Sequence, residues 1–150
     1  MGKSYLSEED IKLRYITPAI QNAGWNNKQI RMEYAFTAGR IILRGNITAR
    51  GRKKSADYLL SYKNNFPLAI VEAKDNTQPV GAGLQQAIDY AKALDVPYVY
   101  ASNGDGFVEQ NLITGEVKEL KLEEFPSPEA LYQRYRIDKG IDETEEKVML

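Results

Sequence analysis

The alternation of apolar and polar positions is clearest between Asp57 and Lys74. Tyr58 and Leu60 alternate with Asp57, Leu59 and Ser61, the two-residue period of a strand. Lys63 to Pro67 supplies turn chemistry, with two asparagines and a proline. Leu68 to Val71 is a short unbroken apolar run, as expected of a buried central strand. The stretch predicts a β-hairpin. Three other segments have helical spacing. Leu13, Ile16, Ile20 and Ala23 follow a Ser7 cap and the acids Glu8, Glu9 and Asp10, which suit a helix N-terminus, and Gly24 ends the run. Pro18 predicts either a kink or a restart after Thr17. Leu84, Ala87, Ile88, Ala91 and Leu94 form one stripe on a helix from about Gly81 to Leu94. Ser127 and Pro128 open a last helix expected to reach about Arg136.

Further strands are expected at Gln29 to Thr37, with Arg40 to Arg44 as antiparallel partner around Ala38 and Gly39, and at Tyr98 to Ser102. A hairpin about Thr114 and Gly115 joins Phe107–Ile113 to Val117–Leu122. Beyond Ile137 apolar density falls and acids dominate. The reading is therefore one domain over 1–136 and an acidic linker over 137–150. No repeat is visible.

The chemistry lies where the hairpin leaves the core. Glu72 and Lys74, two apart on a strand, point to one face, roughly 6.5–7 Å apart along it. Asp57 opens the neighbouring strand and can bring a second carboxylate close. Two carboxylates and a lysine point to a divalent cation with a nucleophilic water. Carboxylate oxygens suit Mg²⁺, which takes one or two of them and keeps several waters. The competing reading is a solvated Glu–Lys pair at a strand end. Glu8 reads as a capping acid, with a minority reading as an accessory acid of the metal site. Tyr90 stands four residues after Gln86, off the helix stripe, which hints at a polar task; the plainer reading packs Tyr90 at the stripe's margin.

Composition narrows the chemistry. The 150 residues contain no Cys and no His, so thiolate zinc sites, disulfides and Ser-His-Asp or Cys-His catalysis are excluded. The net charge of −1 means that any DNA contact must be local. Between Glu33 and Asp57 there is no acid, while Arg40, Arg44, Arg50, Arg52, Lys53 and Lys54 are all basic. Arg50, Arg52, Lys53 and Lys54 therefore read as a phosphate-contacting arm running straight into Asp57, or as a mobile solvated loop over Ile47 to Ser55. Gly81 and Gly83 do not make a dinucleotide fingerprint, because Gln86 stands where a third small residue is needed. There is no P-loop, no membrane-length apolar run and no signal peptide, so a cytoplasmic location is expected.

The acid, hairpin, Glu-x-Lys order resembles the PD-(D/E)xK nuclease signature, with Ala56 in place of its proline. Over about Ser7 to Glu116 the chain resembles the N-terminal nuclease domain of type I restriction enzyme R subunits. The likeness rests on Ser7-Glu8, Ile16 to Ala19, Ala23 to Trp25, Ala56 to Leu60, Val71 to Lys74, Gln86 to Ala91, Pro97 to Val99, Ser102 to Gly104, and Phe107 to Glu109. Lys12 stands where such domains often carry arginine. The resemblance implies a restriction-endonuclease-like α/β/α sandwich with a central mixed sheet. It implies Mg²⁺-dependent hydrolysis of double-stranded DNA without sequence specificity of its own. Asp57, Glu72 and the Ala73 carbonyl would hold the metal, and Lys74 would orient or activate the water. Gln86 and Tyr90 would contact the DNA backbone or brace the lysine. It also implies specificity and methyltransferase subunits as partners, and ATP used only by motor domains elsewhere in the subunit. The alternatives are a stand-alone repair or junction nuclease and a non-catalytic docking domain of the same fold.

Overall fold

The computed structural model describes residues 4–38, 43–44, 47–48, 52–63 and 66–141. Among them, eight strands and four α-helices follow the order α1 (Glu8–Ile11), α2 (Thr17–Asn22), β1 (Ile30–Ala38), β2 (Leu43–Arg44), β3 (Ile47–Thr48), β4 (Arg52–Ser61), β5 (Pro67–Ala73), α3 (Leu84–Leu94), β6 (Tyr98–Ser102), β7 (Phe107–Asn111), β8 (Val117–Leu120) and α4 (Pro128–Lys139). A π-helical turn over Lys12–Ile16 joins α1 to α2. Six strands form one sheet in the order β1-β4-β5-β6-β7-β8, and β2 pairs with β3 separately. All neighbours in the large sheet are antiparallel except β5 and β6, so the sheet is mixed.

Both faces of the sheet are covered. Ile11, Ile16, Ile20 and Trp25 of the N-terminal region, with Leu131 and Tyr132 of α4, pack on Tyr58, Leu60, Val71, Tyr98, Tyr100 and Phe107. On the opposite face Ala87, Ile88, Tyr90 and Ala91 of α3 pack on Leu59, Ile70 and Val99. This double cover explains why Leu68 to Ala73 and the whole of β6 are buried without alternation. The architecture is the expected α/β/α sandwich around a mixed sheet.

Three expectations change. The described part of the Arg40 to Arg44 segment, Leu43–Arg44, pairs with β3 and not with β1. The partner of β1 is β4, in a register running from Ile30↔Leu60 to Ala38↔Arg52. Residues 39–42 lie outside those described. Arg52 to Ser55 is consequently strand rather than loop. Its Arg-Lys-Lys-Ser sequence has no apolar alternation to mark it. The first helix also has a different buried face. Leu13 is 73% exposed, while Ile11 and Lys12 are buried. The π turn inserts one residue, so Ile11 and Ile16, five apart, share a face. Pro18 is the physical partner of this distortion, since in a regular helix its ring would meet the carbonyl four residues back. The last helix runs to Lys139, three residues beyond the expected Arg136, and ends on Gly140 at φ 65°. Residues 142–150 of the acidic segment lie outside those described.

The extra turn of α4 carries a side chain the sheet uses. Asp138 accepts hydrogen bonds from the Tyr98 hydroxyl at 2.7 Å and from Asn111 Nδ2 at 2.8 Å. Both donors belong to buried residues. Asp138→Ala leaves them unpaired and should destabilise the fold by about 1–3 kcal/mol. Denaturant unfolding of parent and variant checks this; a difference within error would show that water satisfies both donors.

Candidate active site

The β4–β5 ladder runs through Tyr58↔Val71 and stops there. One residue further on, side chains replace the backbone pairing. The Asp57 N–H donates to Glu72 Oε2 at 2.7 Å, and the Ala73 N–H donates to Asp57 Oδ2 at 2.8 Å. Each acid is thus oriented by the strand that carries the other. The sequence requires this pairing geometry only once, at the point where the two strands part.

Lys74 follows directly. Its backbone N–H donates to the Ser102 carbonyl at 2.9 Å, holding the chain against the end of β6. Its side chain shares a face with Glu72. A Cβ added at Gly83, the residue before α3, would lie 3.4 Å from Glu72 Cβ and 3.5 Å from Lys74 Cγ. The start of α3 therefore rests on both side chains, and Gly83 leaves the space beside them open. The Lys74 ammonium has no hydrogen bond or ion pair with a described residue.

Burial raises the Glu72 carboxyl to about 8, with the neighbouring Asp57 charge adding to the effect; the Asp57 N–H and the Lys74 and Lys12 charges oppose it. Asp57 is raised too, chiefly by burial, against the Ala73 N–H and the Lys12 charge. The buried Glu72 carboxyl and the half-buried Asp57 carboxyl beside it both resist ionising. Among the described residues no group of three or more His, Cys, Asp and Glu side chains gathers at metal-ligating distance. The pair itself, with a backbone carbonyl nearby, fits a hard ion that takes one or two carboxylates and keeps water on its other positions.

The first helix contributes a residue that sequence reading passed over. Glu8 is exposed in the first turn of α1. One turn on, Lys12 is only 3% exposed and brings its Nζ to 3.7 Å from Asp57 Oδ1. It also bonds Glu33 Oε1 and lies 3.6 Å from Glu9. Burial lowers the Lys12 pKa, but the Glu33 bond and the charges of Asp57, Glu33 and Glu9 outweigh it and the net shift is upward. One signal for Lys12 was present: it stands four residues before Ile16 and eight before Ile20, on the stripe itself. Glu33 gave none, since it reads as an outward residue of an alternating strand.

Gln86 and Tyr90 are brought together. Gln86 Nε2 donates to the Tyr90 hydroxyl at 2.6 Å, and the Tyr90 ring packs edge-on against Phe36 of β1 at 5.1 Å. Tyr90 is 9% exposed and belongs to the apolar cluster under α3, so the helix stripe includes it. Neither residue bonds Lys74 among the described contacts. Of the basic candidates, Arg50 lies outside the described residues and Arg52 is described by its backbone alone, opposite Ala38. Lys53 is exposed and Lys54 half-buried on β4, four and three residues before Asp57. No helix of the described residues is long and apolar enough to cross a membrane.

Comparisons with known proteins bear on the family and the fold. Residues 7–126 match the family described as the type I restriction enzyme R protein N terminus. The chain is 44% identical over 150 residues to the type I restriction enzyme EcoAI endonuclease subunit of Escherichia coli, covering 97% of this chain and 18% of that subunit. It superposes with a TM-score of 0.79 and 41% identity on a fragment structure assigned to an HsdR subunit of a type I restriction enzyme from Vibrio vulnificus YJ016. That match covers 94% of this chain and 27% of the other. The chain thus spans under a fifth of the curated relative. With the match running from the Ser7 cap through Pro126, and so across Asp57 and Glu72, the chain belongs to the type I restriction enzyme R protein N-terminal family.

Proposed function

We propose that this chain is a metal-dependent nuclease domain, hydrolysing DNA phosphodiester bonds as part of a type I restriction-modification R subunit. The observation that carries the reading is the reciprocal exchange between Asp57 and Glu72 beside the Lys74 ammonium, which forms no hydrogen bond or ion pair with a described residue. A strand-end salt bridge would have paired Lys74 with Glu72. Here Glu72 is turned to the neighbouring backbone instead, and Lys74 is left for another ligand.

Asp57, Glu72 and the Ala73 carbonyl are the residues that would hold Mg²⁺. Bound there, Mg²⁺ would supply Lewis-acid charge stabilisation and a more acidic water. Lys74 holds the attacking water on the face it shares with Glu72, donating to it as the phosphate approaches. Gln86, with its amide half-exposed and Tyr90 fixing its rotamer, contacts the DNA backbone. Lys53 and Lys54, joined by Arg50 and Arg52, hold phosphates without reading bases. In the whole subunit, ATP-driven motor domains deliver DNA and raise its local concentration, as tethering does in other multivalent systems. Specificity and methyltransferase subunits complete the complex, in the cytoplasm.

Three outcomes follow. In the intact subunit, Lys74→Ala and Glu72→Ala should each abolish cleavage while leaving ATP-driven translocation unchanged. Plasmid cleavage and a translocation assay run side by side test this, and a Lys74→Ala subunit cutting at the parental rate would overturn the role of Lys74. Replacing Arg50, Arg52, Lys53 and Lys54 with Ala should weaken DNA binding and reduce its salt dependence by about one unit of slope per lost phosphate contact. An unchanged slope would mean that these side chains are merely solvated.

The third outcome concerns pH. Glu72 is raised from 4.5 to about 8, so between those values the folded chain keeps a proton that the unfolded chain has lost. Stability without metal therefore falls as pH rises through that window. Glu72→Gln keeps an oxygen for the Asp57 N–H but cannot ionise. Its melting temperature should exceed the parent's near pH 9 and match it at about pH 5. Mn²⁺ binding to the parent should weaken below about pH 8, as protons compete for Glu72. Parallel melting curves across the whole pH range would contradict the buried acid.

A further inference from the structure

Two distortions of the backbone converge on one ion pair. The π turn begins at Lys12 and carries its side chain inward, where it is 3% exposed. On β1, Glu33 has φ 52°, a left-handed conformation rare for a residue with a side chain. The β1–β4 ladder pairs Met32 with Tyr58 and Tyr34 with Ala56, and omits Glu33 and Asp57 between them. Such irregularities cost free energy and persist where the surroundings hold them in place. Here they aim Glu33 at Lys12. Ser55 Oγ steadies the other oxygen of Glu33 at 3.4 Å.

The result is a cation enclosed by carboxylates from three elements: Glu9 of α1, Glu33 of β1 and Asp57 of β4. The lysine stem is fixed as well, since its carbonyl accepts from the Tyr58 hydroxyl at 3.4 Å and its ammonium lies 5.9 Å from the Tyr58 ring centroid. Asp57 is therefore held from two sides. Its Oδ2 accepts the Ala73 N–H, and its Oδ1 faces the Lys12 ammonium. Two-metal phosphodiesterases place a second ion about 3.5–4 Å from the first, sharing a carboxylate with it. The Oδ1 that such an ion would use on the outer side of Asp57 already faces the Lys12 ammonium at 3.7 Å.

We propose that Lys12 is a resident cation, positioned by Glu33, that takes the place of a second metal on Asp57 and limits the site to one divalent ion. The inference rests on the metal-dependent reading above. Lys12 is a positioning residue: it acts through Asp57. Lys12→Met removes the charge and keeps the buried stem, leaving Glu9, Glu33 and Asp57 without their shared counter-ion. Lys12→Arg keeps the charge.

The experiment counts Mn²⁺ bound per chain by electron paramagnetic resonance of the free ion, with circular dichroism confirming that each variant is folded. The expected result is one Mn²⁺ on the parent, one on Lys12→Arg and two on Lys12→Met, with the second lost again in Lys12→Met/Glu33→Gln. One Mn²⁺ on folded Lys12→Met overturns the inference and leaves the metal-dependent reading standing. No Mn²⁺ on the parent or on Lys12→Met overturns that reading and the inference with it. Should Lys12→Met fail to fold, the parent decides: two Mn²⁺ per parent chain overturns the inference, and one together with one on Lys12→Arg supports it.

Discussion

Everything at the site depends on the exchange of backbone hydrogen bonds for side-chain ones where β4 and β5 part. A buried N–H at a strand fork must be satisfied. Water would do it at the surface; here the Asp57 and Glu72 carboxylates do it for each other's strand. The arrangement fixes two carboxylates side by side at a cost, because burial and mutual repulsion both favour the protonated forms. Removing either acid therefore has two effects. It deletes a candidate ligand, and it orphans a backbone N–H on the strand that carries the other acid. Amide replacements separate these effects better than alanine, since they keep an acceptor.

The central part of the fold was legible in the sequence because burial there is simple. Leu68 to Val71 and Tyr98 to Ser102 lie under helices on both faces, so unbroken apolar runs mark them. Asp57, Glu72 and Lys74 were legible for the same reason: polar residues leaving a buried strand are conspicuous. Where burial stops, the signal stops. Arg52 to Ser55 pairs with β1 but contributes no apolar side chain of its own to either core cluster. Its pattern is that of a solvated loop.

The residues that went unrecognised share a different cause. Around Lys12 and at Glu33 the backbone departs from a regular period, although Lys12 keeps helical spacing from Ile16 and Ile20. A 3.6-residue period assigns Leu13 to the core, whereas the π turn puts Leu13 in solvent and Lys12 inside. A two-residue period sends Glu33 outward, whereas φ 52° turns it toward Lys12. Tyr90 shows the milder case. Its ring completes the packing under α3, as the plainer reading expected, while its hydroxyl accepts from Gln86.

The π turn also bears on how such a domain can change over generations. Ile11 and Ile16 are five residues apart and face the same core. Losing one codon between them would leave a spacing of four, which an ordinary α-helix serves equally well. The apolar contacts on either side would survive while the inward-turned lysine was reset. A single in-frame deletion, rather than a series of substitutions, is enough to change the charge beside Asp57 without rebuilding the core.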